Sequence, residues 1–422
     1  MNSKPDHIAG AEDATQIHGA HDPSFTTLVN TFARLFPKRA RSGGALSVYL
    51  DGVPLVDVWT GWESHRTATP WSADTGAMVF SATKGLASTV IHRLADRGLV
   101  DYDAPMAEYW PAFGANGKAA ITVRDVMAHR AGLSQLDGVT SGQVLDHLAM
   151  EERLAAAPPG VFLGKSAYHA LTYGWLVSGL ARAITGKGMR ELFRTELALP
   201  LDTDGIHLGR PPAGSPTHAA QIVTLDRTRK NSLYDAVATR IARQPRSGLF
   251  GAIYYPGVRS ALQKDMRFLD AEIPSANAIA TARGIGRLYG AIANGGEIDG
   301  TRFLAADTVA NIGAKRPFPV DRSVYVPLGF HLGYHGVFAQ RAMPGFGHAG
   351  LGGSVGWADP SSGLAMSFVH SRLHLSMPID QVAFSILFVL ARRAAARARK
   401  AGFTRVADFG APYTEAPTAS TA

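Results

Sequence analysis

The spacing of hydrophobic residues changes along the chain, and each change predicts a different kind of structure. Two β-rich runs are joined by Asp51-Gly52, a pair that tolerates positive φ and is typical of a β-hairpin turn. After Ser81, apolar residues recur every four positions as far as Leu94. The N-terminal part therefore predicts a two-stranded ribbon followed by an amphipathic helix.

The middle of the chain is rich in helix patterns and poor in strand patterns. Thr122 and Asp125 have the spacing of a capping box at a helix start. Residues 171–186 and 277–296 both predict helices that end at glycine. Strand patterns return in residues 354–370, where two β-rich arms flank a turn, and a C-terminal helix follows.

This arrangement predicts two structural units, because strand-and-helix material at both ends brackets a helical centre. We expect one α/β sheet domain built from residues 25–100 and 275–410, with a mainly helical domain over residues 101–274 inserted into it. Residues 1–24 and 411–422 are predicted to be loose termini. An active site is expected at the seam between the two units.

Composition narrows the chemistry. The chain of 422 residues has no cysteine, which excludes disulfides, thiolate nucleophiles and Cys-ligated zinc. The histidine pairs lack the carboxylate of a zinc-protease motif, so we expect neither a metal nor another cofactor. The net charge of +8 comes without aromatic residues in the basic clusters, which argues against nucleic-acid binding.

The apolar segments bear on the location of the protein. The start of the chain has no basic-then-apolar signal pattern, and the longest apolar run, 382–391, is too short to cross a bilayer. We therefore expect a cytoplasmic protein without stable membrane insertion and with a buried C-terminal helix. Peripheral membrane contact through the basic end of that helix stays open, as does the oligomeric state.

The stretch "VFSATKGLAS" places Ser81 and Lys84 three residues apart at the predicted helix start, and no other lysine follows a serine or threonine at this distance. Positions three apart share one helix face, so the amine can reach the hydroxyl. A serine needs a base, and a lysine can act as one when burial lowers its pKa. An isolated S-x-x-K is nevertheless more often a helix cap and a surface lysine.

Two further features change that judgement. Tyr168 lies between a Pro-Pro-Gly turn and an aromatic-rich helix, and His348-Ala349-Gly350 opens a glycine-rich lead into a strand. With these elements in this order, the chain from about Ala45 to the C-terminal helix resembles the serine β-lactamase and penicillin-recognising superfamily. The resemblance is strongest to class C β-lactamases and the family VIII carboxylesterases related to them.

The resemblance implies a fold and a set of roles. The fold would be the β-lactamase/transpeptidase-like one, α/β plus all-α, with an antiparallel sheet flanked by helices and an inserted helical domain. Ser81 would be the acylated nucleophile, Lys84 its basic partner and Tyr168 a second general base. The backbone N–H groups of Ser81 and Leu351 would form the oxyanion hole.

The resemblance also bears on the substrate. The substrate-binding residues would be His348, Ala349 and Gly350, which would line the pocket, and His169 and Ala170 beside the catalytic tyrosine. Ala170 and His348 stand where class C β-lactamases have the asparagine of Tyr-x-Asn and the lysine of Lys-Thr-Gly. Losing both polar partners should weaken penicillin binding more than ester binding. We therefore expect a carboxylesterase for short- to medium-chain acyl esters, with room for weak β-lactam hydrolysis.

Several alternatives stay open at this stage. Ser354 lies in a G-x-S-x-G pattern, but that nucleophile elbow needs a following helix, and a β-rich arm follows here. A β-lactamase, an acyltransferase using the same acyl-enzyme, or a penicillin-binding sensor without turnover would retain the same residues. His129, at the end of a predicted helix, is interpreted as a structural cation.

Overall fold

The fold is seen in a computed structural model. It describes residues 14, 16–37, 40–224, 240–244, 246–256, 258, 266–373, 379–403 and 405–406. The strands are β1 His18–His21, β2 Gly43–Leu50, β3 Val53–Ser64, β4 Thr69–Pro70, β5 Thr75–Met78, β6 Ile206–Leu208, β7 His218–Ala219, β8 Val223–Thr224, β9 Ala278–Ala280, β10 Glu297–Ile298, β11 Thr301–Arg302, β12 Leu328–His331, β13 Tyr334–Val337, β14 Phe346–Ala349, β15 Val355–Asp359, β16 Leu364–His370 and β17 Arg372–Leu373.

Helices fill the space between these strands. They are α1 Thr26–Arg34, α2 Thr83–Asp96, α3 Met106–Tyr109, α4 Val123–Met127, α5 Ser141–Leu145, α6 His147–Ala156, α7 Thr172–Thr185, α8 Met189–Leu192, α9 Leu249–Ile253, α10 Met266–Asp270, α11 Ala282–Ala293, α12 Ala306–Ile312 and α13 Ile379–Ala401. Short 3₁₀ turns cover Pro23–Phe25, Phe80–Ala82 and Pro111–Gly114, and a π-helical turn covers Phe193–Ala198.

The main sheet joins the two ends of the chain. Its antiparallel strand order is β1-β3-β2-β16-β15-β14-β13-β12, with β4 paired to β3. The central pairing is β2 with β16, in register from Leu50 opposite Leu364 to Gly44 opposite His370. Strand β2 of the N-terminal ribbon therefore acquires its second neighbour, β16, from residues more than three hundred positions later. This confirms the antiparallel sheet built from both ends of the chain that the sequence predicts.

Each face of the sheet supports a separate hydrophobic core, because side chains alternate along a strand. Leu46 and Val48 of β2 belong to the core formed with α1 and α13. Ala45 and Tyr49 of the same strand belong to the larger core, which includes α11, α2 and α7. Helix α2, which carries Lys84, lies on this second side, where helices from the chain's middle also pack against the sheet.

Several local predictions are confirmed. The hairpin turn between β2 and β3 has Asp51 at φ 52° and Gly52 at φ 74°, the positive values that such a turn requires. Thr122 and Asp125 form the expected capping box at the start of α4. Helix α7 ends at Gly186, whose φ is 74°. The Asp-Gly and capping signals were decisive because each meets a local backbone requirement.

Two local predictions were wrong. Residues 1–24 were expected to be loose, but His18–His21 forms β1 and pairs with β3. Residues 277–296 were expected to be helical throughout, but Ala278–Ala280 forms strand β9 between β5 and β6, and α11 begins after the Thr281 cap. Tertiary pairing decides both segments. The predicted loose segment 411–422 and residues 1–13 lie outside the described residues.

The C-terminal helix α13 is present, but only one side of it is buried. Phe388 is fully enclosed, whereas Val382 and Ile386 are 55% and 52% exposed. Within the described part of the chain, no helix is both long enough and apolar enough to span a membrane. The prediction of a buried helix therefore holds for the face that packs on the sheet and not for the other.

Gly174 of α7 tests the packing of the helical part against the strand region. A Cβ there would lie 2.4 Å from Ser275 N and 2.6 Å from Pro274 C, both backbone atoms that cannot move aside easily. We expect Gly174→Ala to destabilise the protein by about 1–3 kcal/mol. Gly142→Ala in α5 is the matched control, because its Cβ would meet only Thr140 Oγ1 at 3.9 Å. It should be neutral or slightly stabilising. Thermal unfolding of both variants distinguishes them, and equal melting temperatures would contradict the packing argument.

Candidate active site

Ser81 lies in a strained turn between β5 and α2. Phe80, directly before it, has φ 47°, a value that costs a bulky residue free energy and therefore needs support from its surroundings. The support comes from β9, because the Val79 N–H donates to Ala278 O at 3.0 Å and the Ala278 N–H donates to Thr83 Oγ1 at 3.1 Å. The turn leaves Ser81 partly exposed, with buried residues on either side.

Lys84 approaches Ser81 from one turn further along. Its Nζ donates to Ser81 Oγ at 3.1 Å and to the backbone oxygen of Ser275 at 3.0 Å. The side chain is fully buried, and within the described residues it forms no ion pair with a carboxylate. Desolvation therefore lowers the pKa of Lys84 well below its ordinary value. A neutral amine within hydrogen-bonding distance of a serine hydroxyl can accept its proton.

Tyr168 completes the group around the serine. Its hydroxyl lies near enough to Ser81 for that side chain to lower its pKa, and Lys84 Nζ lies 4.9 Å from the centre of its ring. The ring stacks on Phe330 at 5.4 Å with an interplanar angle of 7°. Burial raises the pKa of Tyr168 by more than the nearby Ser81 lowers it. The phenol therefore starts protonated and can pass on a proton while it receives another.

Strand β14 brings the His348-Ala349-Gly350 segment to the serine turn. A Cβ on Gly350 would lie 2.1 Å from Val79 O, so only glycine allows this approach. The Gly350 N–H donates to Ser354 O at 2.7 Å, which closes a tight loop before β15. The N–H of Leu351 has no backbone acceptor among the described residues. The two predicted oxyanion donors, on Ser81 and Leu351, thus belong to segments in direct contact.

His348 lies at the edge of this group and is neutral. Its ring centre is 6.2 Å from that of Tyr168 and 5.0 Å from that of His335. Burial lowers the pKa of His348 well below its ordinary value, with further lowering by His335 and Lys84. Because Nδ1 donates to Ala349 O at 3.0 Å, Nε2 of the neutral ring carries a lone pair. Unlike a lysine, this side chain offers neither charge nor donor to a substrate carboxylate.

A serine, a neutral lysine and a tyrosine thus lie together beside strand β14, and comparison of the sequence with known families identifies a relationship. Residues 26–388 match the Beta-lactamase family. The chain belongs to this family. A curated relative, the "Esterase/beta-lactamase LipL" of Mycobacterium tuberculosis (strain ATCC 25618 / H37Rv), is 58% identical over 408 residues, which cover 96% of this chain and 95% of the relative.

Solved structures of the β-lactamase family agree with the fold. A family VIII carboxylesterase superposes with a TM-score of 0.78 at 30% identity and covers 90% of this chain and 99% of its own. A penicillin-binding protein homologue from Caulobacter crescentus superposes with a TM-score of 0.77 at 26% identity and covers 90% of this chain and 100% of its own. The resemblance expected from the sequence motifs is confirmed.

His169 and Ala170, predicted to contact substrate, are both buried in this β-lactamase family member. The Nδ1 of His169 donates to Ala167 O at 2.6 Å, and its Nε2 accepts the Leu133 N–H at 3.0 Å. Both ring nitrogens are thus used by the backbone, which favours a structural role for His169. Ala170 is 3% exposed and has no polar group to offer a substrate. Their part in substrate binding remains a prediction that these contacts do not support.

His129 was misinterpreted as a structural cation. It is fully buried with φ 58°, and desolvation lowers its pKa well below the ordinary value, so the ring is neutral. Its Nδ1 accepts the N–H of His169 at 3.1 Å, and its backbone oxygen accepts the N–H of Ala167 at 3.1 Å. His129 therefore holds the residues on both sides of Tyr168. Its position directly after α4 gave no sign of this contact with a segment forty residues away.

Other residues of the site could not be found from motifs. Ser275 contributes a backbone oxygen to Lys84, and its hydroxyl joins Leu171 O at 2.7 Å to the Gly174 N–H at 2.6 Å. His335 accepts the Ala349 N–H on Nε2 at 3.1 Å. The available signal was weak: a serine before the helix predicted over 277–296, and a histidine pair that invited a metal interpretation. Within the described residues, no group of histidine and acidic side chains is suited to holding a metal.

Ser354 has a structural environment. Its Oγ accepts the His370 N–H at 3.2 Å, the side chain is 2% exposed, and strand β15 begins at the next residue. A nucleophile elbow needs an exposed serine before a helix. The G-x-S-x-G pattern thus marks a tight connection between β14 and β15.

Lys84 provides the first test of the site. An amine whose pKa is lowered by burial accepts a proton only above that pKa, so kcat/KM for an ester should fall as pH decreases through it. Lys84→Ala should reduce the rate by at least ~100-fold. Lys84→Arg should not restore it, because a guanidinium stays protonated. Steady-state rates across pH measure both effects. Full activity of the arginine variant, or a rate limb near the ordinary lysine value of 10.5, would contradict the role of Lys84 as a base.

Proposed function

We propose that this protein is a serine carboxylesterase that cleaves short- to medium-chain acyl esters through an acyl-enzyme on Ser81. The observation that carries the proposal is the buried Lys84 amine, 3.1 Å from Ser81 Oγ and without an acidic partner in the described part of the chain. The relative named "Esterase/beta-lactamase" and the family VIII carboxylesterase structure support this class of reaction. No metal or cofactor is needed for it.

Acylation requires a proton to leave the serine and another to reach the departing alcohol. Ser81 Oγ attacks the ester carbonyl carbon while Lys84 accepts the hydroxyl proton. The carbonyl oxygen becomes negative and faces the N–H groups of Ser81 and Leu351. When the ester C–O bond breaks, Tyr168 donates its phenolic proton to the alkoxide and recovers one from Lys84. The alcohol leaves, and the acyl group remains on Ser81.

Deacylation repeats these transfers with water. A water molecule loses a proton through Tyr168 to the neutral Lys84 and attacks the acyl carbon. The same two N–H groups stabilise the second oxyanion. Ser81 leaves with a proton returned by the lysine and tyrosine, and the free acid departs. The contact of Tyr168 with both Ser81 and the Lys84 amine supports a part for it in both halves.

The pocket favours a simple ester over a penicillin. Neutral His348 presents a lone pair rather than a cation, and buried Ala170 supplies no amide. A β-lactam substrate would lose both polar contacts, whereas an alkyl ester has neither group to satisfy. The exposed apolar side chains of Val161, Leu163 and Leu351 lie on loops that lead into Tyr168 and out of β14. They suit an apolar acyl chain.

Ser81→Ala tests the nucleophile directly. We expect it to abolish hydrolysis of p-nitrophenyl butyrate, because no oxygen remains to be acylated. Ser354→Ala is the matched control: it removes another serine hydroxyl nearby in a buried turn and should retain most of the activity. Mass spectrometry of wild type during turnover should show the butyryl group on the peptide containing Ser81. Loss of activity in Ser354→Ala alone would instead favour the nucleophile-elbow mechanism.

Tyr168→Phe tests proton transfer and separates the alternatives. It should reduce the rate by at least ~100-fold, because the ring remains and only the transferable proton is lost.

Parallel rates with p-nitrophenyl butyrate and nitrocefin should show ester cleavage dominating. Faster nitrocefin turnover would assign a β-lactamase, and a stable acyl-enzyme without turnover would assign a sensor. Product transfer to an added alcohol in preference to water would assign an acyltransferase.

A further inference from the structure

A buried carboxylate lies directly behind the catalytic tyrosine. Asp321 is 0% exposed and precedes β12 in the loop that follows α12. Its Oδ1 accepts the backbone N–H of Tyr168 at 3.1 Å, and its Oδ2 accepts the hydroxyl of Ser166 at 2.8 Å. These partners lie more than one hundred and fifty residues earlier in the sequence. One side chain therefore joins two distant loops beside the reacting group.

A backbone hydrogen bond strengthens the same junction. The Arg322 N–H donates to Ser166 O at 2.9 Å, so Ser166 is held through both its hydroxyl and its carbonyl. The Asp321 N–H in turn donates to Val326 O at 3.1 Å, which fixes the loop that carries the carboxylate. We call these contacts between residues 166–168 and 321–322 the Asp321 clasp.

A local role does not account for all the contacts of Asp321. Its Oδ1 also accepts the N–H groups of Ser323 at 2.8 Å and Val324 at 3.1 Å, an arrangement common in turns that begin with aspartate. That turn needs only Oδ1 and the two residues that follow. The bonds to Ser166 and Tyr168 add nothing to the turn. They use Oδ2, which the turn leaves free, and a further hydrogen bond to Oδ1.

Tyr168 depends on such a contact because it belongs to no regular element. Helix α7 begins only at Thr172, so the tyrosine backbone lacks a helical or strand ladder to hold it. Phe330 and His129 pack against its ring, and His129 binds the N–H groups of the residues on either side, but the N–H of Tyr168 itself is bound by Asp321. The N–H bond to Asp321 fixes the point from which the side chain projects. Proton transfer is sensitive to this, since a displacement of about 1 Å can cost about 100-fold in rate.

We propose that Asp321 is a positioning residue that holds the Tyr168 phenol against Ser81 through the backbone of the 166–168 loop. This inference rests on the proposed function, because it assigns Asp321 to the proton-transfer step of that reaction. Asp321 lies behind the tyrosine and takes no proton from the substrate. Its effect should therefore be seen in turnover rather than in substrate binding.

A double-mutant cycle with Tyr168→Phe tests the proposal. Asp321→Ala should lower kcat for p-nitrophenyl butyrate by about 10- to 100-fold while KM changes by less than about threefold. In the Tyr168→Phe background, the same substitution should change the rate by less than about twofold, because the group it positions is already absent. Single-turnover release of p-nitrophenolate quantifies the slow variants. Asp321→Asn should be milder than the alanine variant, because its amide oxygen still accepts the Tyr168 N–H.

The controls separate positioning from stability. Asp359→Asn alters another buried aspartate that holds serine hydroxyls, those of Ser361 and Ser362, in a turn at the far end of β15. It should leave kcat unchanged. Ser166→Ala removes a single contact of the clasp and should reduce kcat by a smaller factor, which keeps the test decisive if Asp321→Ala fails to fold.

The outcomes distinguish the two proposals. If Asp321→Ala and Ser166→Ala leave kcat unchanged, or if the loss in Asp321→Ala persists in full without the tyrosine hydroxyl, Asp321 is not a positioning residue. If Ser166→Ala and Asp321→Asn alone are folded, an unchanged kcat in Ser166→Ala overturns the inference. If Tyr168→Phe retains wild-type activity, the proposed catalytic function of the tyrosine fails instead, whatever the result at position 321.

Discussion

The removal of the Lys84 amine from water is the constraint on which the rest of this structure depends. Burying an ammonium group without an acidic partner costs several kcal/mol of free energy. The amine therefore stays buried and loses its proton. The surroundings are consistent with this: helix α2 is buried over nearly its whole length, Ser275 offers a carbonyl rather than a carboxylate, and the Tyr168 ring lies close to the amine. A carboxylate in contact with Nζ would reverse the effect and fix the positive charge.

The same principle extends to the neighbouring rings. Burial lowers the pKa of His129, His335 and His348, so three basic side chains near the serine are uncharged at neutral pH. Positive charges on these rings would oppose the proposed protonation of Lys84, whereas neutral rings do not. The nearby Asp321 carboxylate is occupied by hydrogen bonds from backbone and serine groups. The side chains around Ser81 are thus mostly of basic types, but they carry little charge at neutral pH.

The sequence was informative where a residue type meets a local requirement. Asp51-Gly52 marked the hairpin, and Ser81 with Lys84 marked a hydrogen-bonded pair at a helix start, since both depend on neighbours within a few residues. It was uninformative where the partner is distant. Nothing near Asp321 or His129 indicates a contact with the Tyr168 loop, and the β9 segment reads as helix until its pairing with β5 is known. These features arise from tertiary contacts that a single sequence does not display.

The contact of Gly350 with Val79 has a consequence for biosynthesis. The Ser81 turn leaves the ribosome long before the strand that stands against it and the strand that pairs with β2. A sheet closed by such non-local pairing forms late, after the entropy of a long loop has been overcome. The nascent chain therefore carries Ser81 and Lys84 for a long stretch of its synthesis before the proposed cleft can form.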